Sequence, residues 1–85
     1  MIKVLFFAMM KDYVGTNALT LELEKGENLE SVVSRLKAQF SEIKTFMELF
    51  PSCMLALNQE YVYSLEKVTM KDGDELAIIP PISGG

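Results

Sequence analysis

The chain has 85 residues, 49% of them apolar, and a net charge of -4 from 8 basic and 12 acidic side chains. That length makes one domain around one core, and the scattered basic residues exclude nucleic acid as a partner, because nothing is concentrated to neutralise phosphates. A basic partner surface fits the charge better. A single cysteine excludes an internal disulfide, and no apolar run is long enough for a membrane helix, so the reading places the protein in the cytoplasm, away from membranes.

The opening run Ile2-Lys3-Val4-Leu5-Phe6-Phe7-Ala8 is short and rich in β-formers and reads as a strand, with Ile2, Val4 and Phe6 on one face. A loop containing Gly15 leads to Leu19–Glu24, where leucines alternate with polar residues at the period of a half-buried antiparallel strand. Lys25-Gly26 turns the chain. Asn28 is placed to cap a helix whose apolar residues Leu29, Val32, Val33, Leu36 and Phe40 share one stripe. A shorter helical pattern, Ile43, Phe46, Met47, Phe50, is placed for capping by Ser41 and is stopped by Pro51. Cys53–Leu57 is an apolar strand, Asn58-Gln59 turns into Glu60–Tyr63, and Asp72-Gly73-Asp74 precedes a last strand, Glu75–Ile79.

This order predicts an α+β fold of two layers, a mixed sheet packed against one main helix plus a short second helix. The β-grasp is the simplest arrangement that fits, with the first and last strands parallel at the centre of the sheet, where both must be apolar. Residues 1–79 form that domain, and 80–85 read as a flexible tail.

Side-chain chemistry is mostly excluded. There is no histidine, hence no imidazole base or ligand. Gly15 and Gly26 stand alone and make no phosphate loop. Cys53 reads as a small buried hydrophobe, and among the six methionines Met47 and Met54 read as core filling. Asp72, Asp74 and Glu75 read as a solvated turn rather than a cation site. No metal site is expected.

The end of the chain carries the functional signal. Pro80 and Pro81 fix an extended approach, Ile82 and Ser83 follow, and Gly84-Gly85 present a carboxylate without any Cβ to block a narrow channel. Six extended residues reach ~20 Å, enough to enter a partner's pocket. A carboxylate is a poor electrophile, so another enzyme must activate it, for instance as an acyl adenylate, before an amine or a sulfur nucleophile can attack.

Met1-Ile2-Lys3-Val4-Leu5-Phe6-Phe7-Ala8, Val14-Gly15-Thr16, Ala56-Leu57-Asn58-Gln59 and Asp72-Gly73-Asp74-Glu75 through Ile79-Pro80-Pro81-Ile82-Ser83-Gly84-Gly85 together resemble the small, sulfur-carrying subunits of molybdopterin synthases. The resemblance implies a ubiquitin-like β-grasp protein that binds no cofactor itself and is not the catalytic subunit. It implies that an ATP-using adenylyltransferase related to ubiquitin-activating enzymes activates Gly85, which then becomes a thiocarboxylate. The large subunit, in a heterotetramer, receives the tail and passes its sulfur to cyclic pyranopterin monophosphate. A thiamine-pathway sulfur carrier and a ubiquitin-like protein modifier are the alternatives.

A partner surface follows from strand parity. With Ile2, Val4 and Phe6 turned to the helix, Leu5 and Phe7 point outward, joined by Ala77 and Ile79 on the last strand. Tyr61 completes the patch, so Phe7, Tyr61 and Ile79 are the candidate partner-binding residues. Ile78-Ile79 stands where many members of the resembled family carry aromatic residues.

Overall fold

The strictly alternating burial of β1 (Ile2–Phe6) and β5 (Glu75–Ile79) shows how the sheet is built, since Ile2, Val4, Phe6, Leu76 and Ile78 are all buried on one side. The computed structural model describes residues 1–81. β1 and β5 pair in parallel at the middle of a five-stranded sheet in the order β2-β1-β5-β3-β4, where β2 is Ala18–Leu21, β3 is Met54–Leu57 and β4 is Glu60–Val62. The other pairings are antiparallel. The mixed sheet and the parallel centre agree with the sequence reading, and β5 has the predicted bounds.

The first strand is shorter than expected. It ends at Phe6, and the segment read as a loop holds a helix, α1 (Ala8–Val14). Met10 on this helix is fully buried, and Tyr13 and Val14, three and four residues on, pack against the core, which is the spacing of one helical face. Gly15 closes the helix with a left-handed φ of 85° while its N–H donates to the Lys11 carbonyl at 2.9 Å. Among the described residues there are therefore three α-helices, α1, α2 (Leu29–Gln39) and α3 (Lys44–Leu49), where two were expected.

α2 is the main helix, as its sequence implies. Asn28 Oδ1 accepts from the Ser31 N–H at 2.8 Å, and Leu29, Val32, Val33 and Leu36 are buried. α3 starts at an Ile43 cap with no side-chain bond, so Ser41 does not cap it. A 3-10 turn at Phe50–Ser52, with Pro51 near its start, ends the helical layer.

β2 stops at Leu21, before the predicted Glu24, because Leu21 already pairs with Ile2, the first residue of β1, and the backbone beyond it is used by a half-buried ion pair. Arg35 reaches from α2 to donate to the Glu22 carbonyl at 2.9 Å and to Glu27 at 2.6 Å. The Glu27 carboxylate, buried, also accepts from the Ser31 hydroxyl at 2.8 Å and the Glu24 N–H at 3.1 Å. Burial pushes this carboxyl up, but Arg35, the Glu24 N–H and Ser31 outweigh it and hold it below its ordinary value.

The core between the layers is aromatic at one end. Phe6 meets Phe40 edge-on at 5.7 Å, Phe40 meets Phe46 at 5.1 Å, and Phe46 meets Phe50 at 5.3 Å. Met10 and Met70 fill core positions, whereas Met54, expected there, lies on the opposite face of the sheet and is exposed. Its parity on β3 is that of Ala56, away from the helices, so its side chain has no core to enter.

Phe46 is fully buried at the middle of the aromatic row. Phe46→Ala is expected to lower the free energy of unfolding by about 3–5 kcal/mol, measured by chemical denaturation. Tyr63→Ala, at a residue 83% exposed, is expected to change it by less than about 0.5 kcal/mol.

Candidate functional site

The helices cover one face of the sheet, and the other face is where the candidate site lies. Its residues are set by register, because neighbours across a sheet point to the same side. Ala18, Leu5, Ala77, Ala56 and Tyr61 form one row across all five strands, and Ile79 lies beside Met54 in the next. Phe7, just past β1, donates its N–H to the Ile78 carbonyl at 3.4 Å. Ala8 then takes a left-handed φ of 49°, which costs an L-residue about 1 kcal/mol and sends the chain into α1.

Phe7, Tyr61 and Ile79 therefore come together as predicted. They line a single open depression of about 390 Å³ with Leu5, Ala56, Ala77, Gln59 and Glu75. Phe7 is 45% exposed and Tyr61 57%, while Ile79 is half-buried. Ala56, Gln59 and Glu75 were not anticipated, although Ala56 follows from pairing β3 with β5. A second depression, of about 380 Å³, adjoins the first through Leu5 and Phe7 and carries Lys3 and Lys11.

A polar clamp fixes the position of Tyr61. Asn58 and Gln59 both take left-handed conformations, φ 51° and 71°, in the two-residue turn joining β3 to β4. The Asn58 side chain donates to Asp74 at 2.9 Å and accepts from the Glu75 N–H at 3.0 Å, while Asp74 accepts from the Lys71 N–H at 2.8 Å. The turn at 72–74 is solvated as expected at Asp72, whereas Asp74 is only 2% exposed. Burial pushes the Asp74 carboxyl up, but Asn58 and Lys71 hold it below its ordinary value. The N-terminal amine pairs with exposed Asp72, and the Gly73 N–H donates to the Met1 carbonyl at 2.9 Å, tying the start of β1 to the same turn.

The one cysteine is unreactive in this setting. Cys53 is half-buried, its thiol donating to the Leu49 carbonyl at 3.5 Å, and burial pushes it up to about 11, so it stays protonated at neutral pH. Among the described residues no group of three or more potential ligands is placed to hold a metal ion, and no helix is long and apolar enough to cross a membrane. Pro80 is buried where β5 ends and Pro81 is exposed. The candidate tail residues Ile82, Ser83, Gly84 and Gly85 lie outside the described residues.

A mixed five-stranded sheet with its first and last strands parallel at the centre and a long helix across one face defines a ubiquitin-like β-grasp protein. Residues 4–85 match the ThiS family, and the chain belongs to that family. The resemblance drawn from the sequence motifs is borne out by its relatives. A protein of Chlamydomonas reinhardtii named molybdopterin synthase sulfur carrier subunit is 44% identical over 84 residues, covering 99% of this chain and 98% of the relative. One of the same name from Arabidopsis thaliana is 38% identical over 84 residues, covering 99% of this chain and 82% of the relative. Among solved structures, SAMP1 from Haloferax volcanii superposes with a TM-score of 0.81 at 20% identity, covering 99% of this chain and 98% of that one, a likeness of fold. Subunit 1 of the molybdopterin-converting factor of Helicobacter pylori, solved as a complex with subunit 2, has a TM-score of 0.71 at 25% identity, with 99% and 97% covered.

Asp74 and Glu27 both have folded-state values lowered from their ordinary ones. Their contributions to stability are therefore complete above the unfolded values of about 3.9 and 4.3 and are lost as pH falls through the lower folded values. Thermal melts are expected to be flat in Tm from neutral pH to about 5 and to fall steeply below about 4, and Asp74→Asn is expected to make that acid limb shallower.

Proposed function

We propose that this protein is the sulfur-carrying subunit of a molybdopterin synthase. The observation that carries the reading is positional. β5, which leads into Pro80-Pro81 and the terminal Gly84-Gly85, runs parallel to β1 and ends beside the depression formed by Phe7, Tyr61 and Ile79. A partner seated on that depression would have the terminal segment delivered to it.

In the proposed cycle, an adenylyltransferase related to ubiquitin-activating enzymes joins the Gly85 carboxylate to the α-phosphorus of ATP and releases pyrophosphate. Hydrosulfide released by the sulfur donor then attacks the acyl carbon, the C–S bond forming as the C–O bond to the phosphate breaks, so that AMP leaves, the S–H proton is lost to water, and sulfur stands where one carboxylate oxygen was. The large subunit docks on the open sheet face, receives 80–85 and uses the sulfur to build the dithiolene of molybdopterin from cyclic pyranopterin monophosphate. Two small subunits at the ends of a large-subunit dimer would make the heterotetramer. The names of the relatives and the H. pylori complex support this reading. The half-buried Cys53 thiol, kept protonated at neutral pH, is compatible with sulfur being carried elsewhere on the chain.

Incubation with ATP, a sulfur donor and the activating enzyme is expected to convert Gly85 to a thiocarboxylate, read by tandem mass spectrometry of the terminal peptide. Locating the change by fragmentation is needed because replacing oxygen by sulfur and oxidising one of the six methionines alter the intact mass almost equally. Deletion of Gly85 should abolish the modification. An unmodified terminus with Gly85-dependent conjugates on other proteins would replace this reading with that of a protein modifier.

A further inference from the structure

The open sheet face is not uniformly apolar, and its shape is specific. Ala77 on β5 and Ala56 on β3 are direct register partners at the middle of the five-strand row, with Leu5 beyond one and Tyr61 beyond the other. Phe7 and Ile79 line the same depression toward the end of β5, Gln59 and Glu75 toward its start. Two methyl side chains in the centre of a ring of larger ones leave a hollow, whereas Val or Leu at either position would level the surface. Ala56 is 6% exposed although it faces away from the helices, so the hollow is sunk between its neighbours. Interfaces gain most from anchor side chains that fill such hollows, while the surrounding contacts exclude water.

The charge beside the hollow has a definite sign. The chain as a whole carries -4, yet the adjoining depression presents Lys3 and Lys11 and is lined by no acidic residue. Lys3 has Glu75 as its register partner on β5, which offsets part of its charge. Lys11, one turn along α1, makes no ion pair among the described residues. An acidic group on a docked protein would meet uncompensated positive charge at Lys11 and repulsion at Glu75, which fixes the direction in which it can lie.

We propose that Ala56 and Ala77 form the floor of a socket that receives one apolar side chain of the docking subunit, and that a carboxylate of the same subunit lies against Lys11. This rests on the reading of the large subunit of molybdopterin synthase as the partner, and it adds the two alanines and Lys11 as residues that determine which partner surface fits. Ala77→Leu fills the floor with three more carbons without touching the helix-facing core, and Lys11→Glu reverses the charge on an exposed helix.

The test measures binding of the purified large subunit to the whole protein by calorimetry and stopped flow, with melts to confirm folding. Ala77→Leu is expected to weaken affinity by about 10- to 100-fold, with the smaller Ala77→Val between it and the wild type, and with Thr20→Val, on the same face but outside both depressions, unchanged. Lys11→Glu is expected to slow association by about 10-fold at low salt and to flatten or reverse the salt dependence of the rate. Wild-type affinity in both Ala77 variants would overturn the socket, and an unchanged rate and salt dependence in Lys11→Glu would overturn the carboxylate. Either result beside a loss of binding in Phe7→Ala would leave the docking face in place. No binding by the wild-type protein would overturn the partner assignment and the inference with it.

Discussion

The parallel pairing of β1 with β5 is the constraint on which the rest of the structure depends. It joins the first and last strands at the centre of the sheet, so that the core strands are also the strands that form the open face. Val4 and Leu76 are neighbours on the helix side, and Leu5 and Ala77 are neighbours on the other. A one-residue slip would turn every one of these to the wrong side. Parallel strands cannot be joined by a tight turn, and here nearly the whole chain serves as the connection. The pieces between them are held by local contacts of their own as well as by the central pair.

Two buried carboxylates provide much of that local restraint. Glu27 gathers Arg35, Ser31 and the Glu24 backbone at the entry to α2, and Asp74 gathers Asn58 and Lys71 at the entry to β5. Each sits where the chain changes direction, and each ties a segment with little core of its own, residues 22–26 for Glu27 and the β3–β4 hairpin for Asp74, to a well-buried element. β4 has only three residues, and without the Asn58 clamp its hairpin would rest on few contacts. A buried carboxylate is a poor source of net stability, but one held by three or more hydrogen bonds in fixed directions, as Glu27 is, selects one geometry over its neighbours.

The sheet, the main helix and the outward set of residues were legible because they rest on periodicity, which repeats and is hard to mistake. Asn28 before Leu29 announced a helix start, and Asp72-Gly73-Asp74 announced the turn before β5. Residues 8–14 were not legible as a helix. Their pattern, Met10 then Tyr13 and Val14, spans barely two turns and follows directly on an apolar strand, so the change of period is hidden; Gly15 was the available signal, as a helix C-cap. The two carboxylate hubs were invisible for another reason. A buried acid is recognisable only from partners such as Arg35 for Glu27 or Asn58 for Asp74, and those are brought near by the fold. In the site, large residues such as Phe7 and Tyr61 drew notice and Ala56 did not, because what an alanine contributes to a surface is the space above it.

The edges of the sheet bear on how such a protein can exist alone. Its outer strands, β2 and β4, have four and three residues, and Glu60 stands exposed on the second. The unpaired backbone along each flank is thus brief, and on one side charged, so that it is a poor template for a strand from another molecule. The greasy area is in the middle of the sheet, where only side chains can approach it. A molecule that met this face would meet side chains rather than unpaired backbone, and the short outer strands disfavour edge-to-edge stacking of one copy on another.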